Sequence, residues 1–208
     1  MNLVDKPLIH VVDDDESLRA ALLRLLRAAN FDAQGYASTG EFLLQSPPER
    51  PGCVLLDLRL PGPSGLDLQA ALPGKGIDLP VVFMTGHPDV VSSVRAMKAG
   101  AVDFLEKPVE RAALFEALER ALARDALQRA ARAEEHSLRE RFAQLSPRER
   151  AVFQLVVAGR LNKQIADELG IAERTVKAQR RQLMDKLRVN SAAELGVLAE
   201  RLRRLQAE

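Results

Sequence analysis

The sequence predicts two domains of different class: an α/β domain built on a five-stranded parallel sheet, and an all-helical domain that follows it. Three observations lead to this prediction. The N-terminal part alternates short apolar runs with amphipathic helical stretches, the middle contains one long stretch without Gly or Pro, and the C-terminal part shows only helical patterns. A chain of 208 residues is long enough to bury two modest cores.

Short apolar runs bounded by turn-forming residues predict the strands of the first domain. These runs are LIHVV (8–12), DAQGYA (32–37), GCVLLDL (52–58), VVFMTG (81–86) and AVDFLEKP (101–108). Helical patterns such as SLRAALLRLLRAAN (17–30) separate them, and strands that alternate with helices form a parallel sheet covered on both faces. Five such strands in about 120 residues predict a flavodoxin-like doubly wound sheet, in which sites form at the carboxyl ends of the strands.

The stretch 110–141 is rich in Ala, Leu, Arg and Glu, which predicts one long helix. Its first half has the leucines to pack on the sheet. Beyond Asp125 the apolar positions thin to Leu127, Ala131 and Leu138, so we interpret the second half as a solvated spacer, with a coiled-coil dimer stem as the alternative.

Helical periodicity predicts four short helices in the C-terminal domain. Their ranges are 147–158, 163–169, 173–187 and 192–205. The whole pattern divides the chain into an α/β domain, a helical linker and an all-α four-helix domain. The predicted boundaries are 6–122, 123–141 and 142–208.

Composition excludes several classes of protein. Cys53 is the single cysteine, so an intramolecular disulfide and a cysteine-based zinc site are excluded. No apolar stretch is long enough to cross a bilayer, and the N-terminal sequence lacks the pattern of a signal peptide. We therefore expect a soluble, cytoplasmic protein without a membrane partner.

Charge is divided unevenly along the chain. Residues 1–145 carry 17 Lys and Arg against 21 Asp and Glu, while residues 146–208 carry 13 against 8. The two parts thus have net charges of −4 and +5. A basic C-terminal part favours a polyanionic partner, and an acidic N-terminal part favours a site for a cation or a phosphate.

Acidic residues follow two of the predicted strands. Asp13 and Asp14 come directly after the first strand, and Asp57 ends the third. In a doubly wound sheet these strands can be neighbours, so their ends bring the carboxylates into one crevice. Clustered carboxylates require a compensating cation, and their hard oxygen atoms suit Mg²⁺.

The fourth and fifth strands bring a hydroxyl and an ammonium to the same edge, from Thr85 and Lys107. Carboxylates, a hydroxyl, a lysine and a metal ion together are typical of phosphoryl transfer to an aspartate nucleophile. The alternative is that the aspartates cap a helix and the lysine is merely solvated. We favour that alternative for Asp15 and Ser17, which we interpret as helix-start residues.

These segments carry a family resemblance. HVVDDDES, LLDLRLPGPSG, MTGHPD and AVDFLEKP resemble the sequential signatures of response-regulator receiver domains, over about residues 6–125. The resemblance implies that Asp57 accepts the phosphoryl group. It also implies an ion, Mg²⁺ or Mn²⁺, held by Asp14, Asp57 and the backbone carbonyl of Arg59, with Asp13 acting through water.

The same resemblance implies a conformational switch. Thr85 would move toward the phosphoryl group, which Lys107 also binds, and Phe104 would rotate into the space that Thr85 leaves. The Lys107-Pro108 peptide would be cis. To turn such a two-state switch from mostly off to mostly on, phosphorylation must favour the active conformation over the inactive one by about 5.5 kcal/mol. We expect homodimerisation on phosphorylation, through the helices at 90–99 and 110–121, to supply part of it.

The segment from Asn162 to Arg181 predicts a helix, a tight turn at Gly170 and a second helix. Apolar residues of both helices face inward, at Ile165, Ala166, Leu169, Val176 and Leu183. This leaves four residues of the second helix facing outward, namely Lys177, Ala178, Arg180 and Arg181. Such a helix-turn-helix enters the major groove of DNA, although an amphipathic protein-binding bundle has the same spacing.

The sequence LSPRERAVFQLVVAGRLNKQIADELGIAERTVKAQRRQLMDKL resembles the four-helix DNA-binding domain of the LuxR type, over about 142–205. A receiver followed by this domain is the NarL/FixJ class of two-component regulators, and the loop segments resemble its FixJ-like branch. The resemblance places Lys177, Ala178 and Arg181 against bases. It places three further residues against phosphates, namely Lys163, Arg174 and Thr175. Many relatives have Val-His where this chain has Ala178-Gln179, so the half-site of the family does not carry over.

The resemblance implies a transcriptional regulator that a sensor histidine kinase phosphorylates and that binds a roughly palindromic promoter site. We expect no enzymatic activity beyond slow self-dephosphorylation. An Mg²⁺-dependent phosphatase with an Asp nucleophile is an alternative, but such enzymes use a carboxylate two residues after the nucleophile, where this chain has Arg59. A receiver that only dimerises, without phosphorylation, is the third possibility.

Overall fold

The computed structural model describes residues 6–45 and 50–207, so the predicted domain end at residue 208 lies outside the described residues. The described residues form two compact units, which divide between Arg129 and Ala130. The strands are β1 (Leu8–Val12), β2 (Asp32–Tyr36), β3 (Gly52–Asp57), β4 (Val81–Thr85) and β5 (Asp103–Glu106). The helices are α1 (Glu16–Ala28), α2 (Thr39–Gln45), α3 (Gly65–Ala71), α4 (Val90–Lys98), α5 (Arg111–Ala143), α6 (Pro147–Val157), α7 (Asn162–Leu169), α8 (Glu173–Leu187) and α9 (Ala192–Ala207).

The first unit contains one parallel sheet with the strand order β2-β1-β3-β4-β5. This order confirms the predicted doubly wound α/β fold. The order of the strands reverses between β1 and β3, and their carboxyl ends therefore open a crevice at that point. The two predicted groups of carboxylates lie at these ends.

Helices cover both faces of the sheet because successive side chains of a buried strand point to opposite sides. Val54 and Leu56 of β3 face a core that includes residues of α2, α3 and α4. Cys53 and Leu55 face the other core, which includes residues of α1 and α5. The continuous apolar run of β3 is thus explained by its burial on both faces.

Helix α5 is 33 residues long and confirms the predicted long helix. Leu114 packs into the core of the first unit, and Leu127 is 74% exposed, as expected for a spacer. Leu138 is buried in the core of the second unit. The interpretation of everything beyond Asp125 as a solvated spacer is therefore wrong at its C-terminal end, because the last turns of α5 pack into a core.

The second unit consists of the end of α5 and the four helices α6 to α9. All four lie within one or two residues of their predicted bounds. Helix α6 begins at Pro147 behind a capping box formed by Ser146 and Glu149, which satisfies free backbone N–H groups at the helix start. None of the helices in the described part of the chain is long and apolar enough to cross a membrane.

Candidate functional site

Two carboxylates from distant parts of the sequence meet at the reversal of strand order. Val12 of β1 lies in register with Leu56 of β3. Asp13 and Asp57, which follow these two residues in the chain, therefore lie side by side. Asp13 is fully buried and Asp57 nearly so. The strand-end rule that predicted this meeting from the sequence is confirmed.

Lys107 binds both carboxylates. Its Nζ atom lies 2.7 Å from Asp13 Oδ2 and 2.7 Å from Asp57 Oδ2. The backbone places it there, since the N–H of Lys107 donates to the carbonyl of Thr85 at 2.7 Å. The Lys107-Pro108 peptide is cis, as the resemblance implied. One ammonium thus neutralises part of the charge of a buried carboxylate pair.

Burial and charge act in opposite directions on these groups. Burial raises the pKa of Asp13 above its usual value, although the hydrogen bond and the charge of Lys107 oppose it. Burial by itself would lower the pKa of Lys107, but the bonds and charges of Asp13 and Asp57 raise it overall. The lysine therefore stays protonated, as a group that holds anionic oxygens must.

The carboxylates can also hold a metal ion. One oxygen atom from each of Asp13, Asp14 and Asp57 lies within 4.8 Å of the other two. Asp14 is exposed, so the side of the cluster that it forms is open to water. Three hard oxygen donors with an open side fit Mg²⁺, which keeps several of its waters when bound. The backbone N–H of Arg59 donates to Asp57 Oδ1 at 3.1 Å, and its carbonyl as a ligand stays a prediction.

Thr85 and Phe104 lie on neighbouring strands. Phe104 is in register with Phe83, two residues before Thr85, so all three side chains share one face of the sheet. The hydroxyl of Thr85 accepts from the N–H of His87 at 3.3 Å, and the ring of Phe104 is half-buried, with its centroid 6.2 Å from that of Phe83. Their role as a switch pair stays a prediction.

Several supports of the pocket were missed by the sequence reasoning. The guanidinium of Arg19 in α1 donates to the carbonyl of Asp13 at 2.7 Å, and the N–H of Asp15 donates to Asp13 Oδ1 at 3.0 Å. Asp15 is also the N-cap of α1, as expected. Ser17 lies inside the first turn and does not cap it. The role of Arg19 has no signal in a single sequence, because it depends on how α1 lies against β1.

The second unit contains the predicted helix-turn-helix in α7 and α8. Gly170 ends α7 with a φ of +64°, a conformation that favours glycine, and this turn confirms the prediction. The inward residues Ile165, Val176 and Leu183 are buried. Five of the six predicted DNA contacts are exposed, namely Lys163, Arg174, Lys177, Ala178 and Arg181. Thr175, the sixth, is half-buried.

Arg180, which was predicted to face outward, is less exposed than its neighbours Lys177, Ala178 and Arg181. It is half-buried, and its guanidinium donates to Asn162 Oδ1 at 2.6 Å, because the start of α7 lies beside it. Arg180 therefore links the two helices of the motif. The neighbouring Gln179 is also half-buried, and its amide oxygen has no hydrogen-bond partner among the described residues.

Comparisons with known proteins agree with this geometry. The family model of the response regulator receiver domain matches residues 9–119, and that of the bacterial regulatory proteins of the luxR family matches residues 143–199. Nodulation protein W of Bradyrhizobium diazoefficiens is 44% identical over 197 residues, which cover 95% of this chain and 87% of that protein. Transcriptional regulatory protein FixJ of Azorhizobium caulinodans is 41% identical over 187 residues, which cover 90% and 89%.

A solved structure supports the same assignment along the chain. The response regulator StyR is similar with a TM-score of 0.83 and 47% identity, over 94% of this chain and 98% of that one. Membership of such a family implies a sensor kinase as partner and DNA as target. The chain therefore belongs to the two-component response regulators of the NarL/FixJ class, transcriptional regulators that join a receiver domain to a LuxR-type DNA-binding domain.

Proposed function

We propose that Asp57 accepts a phosphoryl group from the phosphohistidine of a sensor histidine kinase, and that this modification controls binding to DNA. The observation that carries the proposal is the pair of 2.7 Å bonds from Lys107 to Asp13 and Asp57. They place a positive charge beside a buried nucleophile. Charge that is positioned in advance in this way favours transfer of an anionic group.

In the proposed step, a carboxylate oxygen of Asp57 attacks phosphorus while the P–N bond of the phosphohistidine breaks. The electron pair leaves with the imidazole nitrogen, which takes a proton from water. Lys107 binds a phosphoryl oxygen, and the Thr85 hydroxyl donates to another. Asp14, Asp57 and the Arg59 carbonyl would hold Mg²⁺, with Asp13 acting through water, and the bound ion would supply positive charge to balance that of the phosphoryl oxygens.

Hydrolysis of the acyl phosphate should be slow, so the chain is proposed as a phosphoacceptor and not as an enzyme. A phosphatase needs a group that activates water beside the nucleophile. The residue two positions after Asp57 is Arg59, an exposed cation that cannot act as this base. Rapid release of phosphate from p-nitrophenyl phosphate would support the phosphatase alternative.

Phosphorylation is proposed to act through the Thr85 and Phe104 pair on α4 and α5, and to favour a homodimer. Helix α4 presents four exposed apolar side chains, namely Val90, Val91, Val94 and Met97. Neighbouring exposed apolar side chains on one element are typical of a surface that another protein covers. Burying this face in a dimer would contribute to the preference that the switch needs.

DNA binding is proposed to use the exposed side of α8. Lys177, Ala178 and Arg181 would face the bases of the major groove. The proposed phosphate contacts are Lys163, Arg174 and Thr175. A dimer would place two such helices on a roughly palindromic promoter site.

The test is a DNA titration at fixed salt, with a duplex that the protein itself selects from a randomised library. We expect acetyl phosphate with Mg²⁺ to tighten DNA binding by the wild type and by Glu135→Gln, a change of an exposed carboxylate on α5 outside the proposed dimer surface. The DNA affinity of Asp57→Asn should not change when acetyl phosphate and Mg²⁺ are added. If Asp57→Asn responds as the wild type does, phosphorylation of Asp57 is not the switch, and the dimerisation module becomes the better account.

A further inference from the structure

Helix α4 is attached to the first unit by very little apolar burial. Among its nine residues, all of which the structure describes, Ala96 is the only buried one. The larger apolar side chains face solvent, and Val90 and Val91 are 79% and 71% exposed. Burying one methyl group contributes about as much free energy as one ordinary hydrogen bond. Polar contacts therefore have a large share in fixing the position of this helix.

One side chain from α3 supplies such contacts. Gln69 is 8% exposed, and its Nε2 atom donates to the carbonyls of Ala96 and Ala99 at 3.3 Å each. The Ala96 carbonyl, in the last turn of α4, also accepts from the N–H of Ala101 at 3.0 Å. The Ala99 carbonyl lies at the C-cap, where a helix lacks internal donors. The amide of Gln69 thus acts as a C-terminal cap that comes from a neighbouring helix.

The other end of the same amide is unsatisfied. Gln69 Oε1 is buried and has no hydrogen-bond partner among the described residues. A buried acceptor without a donor offsets part of what the two donated bonds contribute. The link between α3 and α4 is therefore specific in geometry but weak in net stabilisation, which suits a contact that is released during a conformational change.

Helix α3 connects this link to the phosphoacceptor. Its first residue, Gly65, donates its N–H to the carbonyl of Leu58 at 3.1 Å. A Cβ atom at Gly65 would lie 2.4 Å from the carbonyl oxygen of Asp57, so only glycine allows the helix to start this close. Gln69 follows Gly65 by four residues and lies one turn along the same side of α3. A displacement of the Asp57 backbone therefore moves α3 directly.

We infer that Gln69 is a positioning residue that holds α4 in the unphosphorylated conformation, and that its release is part of the response to phosphorylation of Asp57. This inference rests on the proposed function. Because a ligand-induced change and ligand affinity are linked, weakening the restraint must also strengthen binding of a phosphoryl group. That linkage separates a positioning role from a purely structural one, which would change stability alone.

The experiment uses the full chain with beryllofluoride, a phosphoryl analogue, in the presence of Mg²⁺. Gln69→Met keeps the length of the side chain but removes both donors, and Gln69→Lys keeps a donor. Gln34→Met is the matched control at a half-buried position of β2. Beryllofluoride affinity is measured by titration calorimetry. Hydrogen exchange of residues 90–99 reports on α4, and sedimentation reports on self-association.

Gln69→Met should bind beryllofluoride about threefold to tenfold more tightly than the wild type, exchange faster in α4 and self-associate more without the analogue. Gln69→Lys and Gln34→Met should stay within about twofold of the wild type. If Gln69→Met does not fold, Gln69→Asn, whose amide is too short to reach α4, replaces it. Unchanged or weaker beryllofluoride binding by a folded variant would overturn the inference.

Failure of the proposed function would look different. In that case the wild type itself would bind no beryllofluoride, or Asp57→Asn would bind it equally well. The exchange rates of residues 90–99 would still test the restraint, because they need no ligand. Equal rates in the wild type and Gln69→Met would then overturn the positioning role.

Discussion

At the scale of single residues, the pocket depends on one lysine for two buried carboxylates. Lys107 contacts Asp13 and Asp57 at the same distance, and its own side chain is largely buried. Removing one partner of a buried ion pair is costly because the other charge remains without compensation. The lysine should therefore matter for folding as well as for phosphoryl binding.

We predict that Lys107→Met lowers the free energy of unfolding by about 3 kcal/mol in the absence of divalent ions. Added Mg²⁺ should stabilise this variant more than it stabilises the wild type, because the cation takes over the neutralisation of the carboxylates. Urea unfolding with EDTA or with Mg²⁺ measures both effects. Lys75→Met, at an exposed position, is the control, and equal stability of the two variants would contradict the prediction.

His10 provides a pH test in a part of the unit that the proposed function does not use. It is fully buried, its Nδ1 atom lies 2.8 Å from the Tyr36 hydroxyl, and its Nε2 atom has no partner among the described residues. Burial, helped by the charge of Arg50, lowers the pKa of His10 from 6.5 to about 4. Between these values the unfolded chain binds a proton that the folded chain does not.

Stability should therefore fall as the pH falls from 6.5 to about 4, by about 1.4 kcal/mol per pH unit and by about 3 kcal/mol in total from this residue. Urea unfolding across that range checks it. His10→Gln should flatten the dependence. Parallel curves for the wild type and His10→Gln would show that the histidine does not titrate as the geometry requires.

Single residues also show where sequence reasoning ends. Asp13, Asp57 and Lys107 could be predicted because each stands at the end of a strand, and strand ends of a parallel sheet meet. Gln69 and Arg180 could not, because their roles depend on which helix lies beside them. A single sequence gives the faces of a helix but not the atoms of its neighbour.

At the scale of elements, the periodicity of apolar residues was sufficient to place the strands and the long helix. Each of the five strands and the long helix lies where the apolar pattern placed it, since burial on two faces or on one stripe leaves a regular signal. The end of α5 was misjudged, because the two leucines between Asp125 and Ala143 form no regular apolar stripe and cannot show that the end of the helix packs into a core. Leu138 shares that core with Phe142 and Phe153, whose ring centroids lie 5.2 Å apart.

The DNA-binding elements lead to a prediction about salt. Lys163→Ala should weaken binding about equally for all sequences and lower the salt slope of log K by about 1, as expected for the loss of one phosphate contact. Arg181→Ala should instead relax sequence preference, at a cost of about 1–3 kcal/mol on the selected site. Titrations at several salt concentrations, on the selected and a scrambled duplex, distinguish the two. If Lys163→Ala relaxed sequence preference and Arg181→Ala changed only the salt slope, the assignment of base contacts to α8 would be contradicted.

At the scale of the whole molecule, the two units carry charges of opposite sign and separate cores. The proposed function requires that phosphorylation at the end of β3 change DNA binding by α8. A change of association state is a route that needs no particular arrangement of the units. We assign this association between copies of the chain to the surface formed by the exposed valines of α4.

We predict that Val91→Asp stays monomeric with beryllofluoride and Mg²⁺, while the wild type shifts toward a dimer. A charge placed on each copy of the same face opposes burial of that face. Leu127→Asp, which changes an apolar residue of similar exposure on α5, should dimerise as the wild type does. Sedimentation velocity distinguishes these outcomes, and dimerisation of Val91→Asp would move the interface away from α4.

Identification of the phosphorylated residue tests most directly the central claim that Asp57 accepts the phosphoryl group. The chain is incubated with acetyl phosphate and Mg²⁺, reduced with borohydride so that an acyl phosphate becomes homoserine, and sequenced by mass spectrometry. We predict conversion at Asp57 alone, abolished by EDTA and by Asp57→Asn. Conversion at Asp13 or Asp14 in place of Asp57, or undiminished labelling without a divalent ion, would contradict the account.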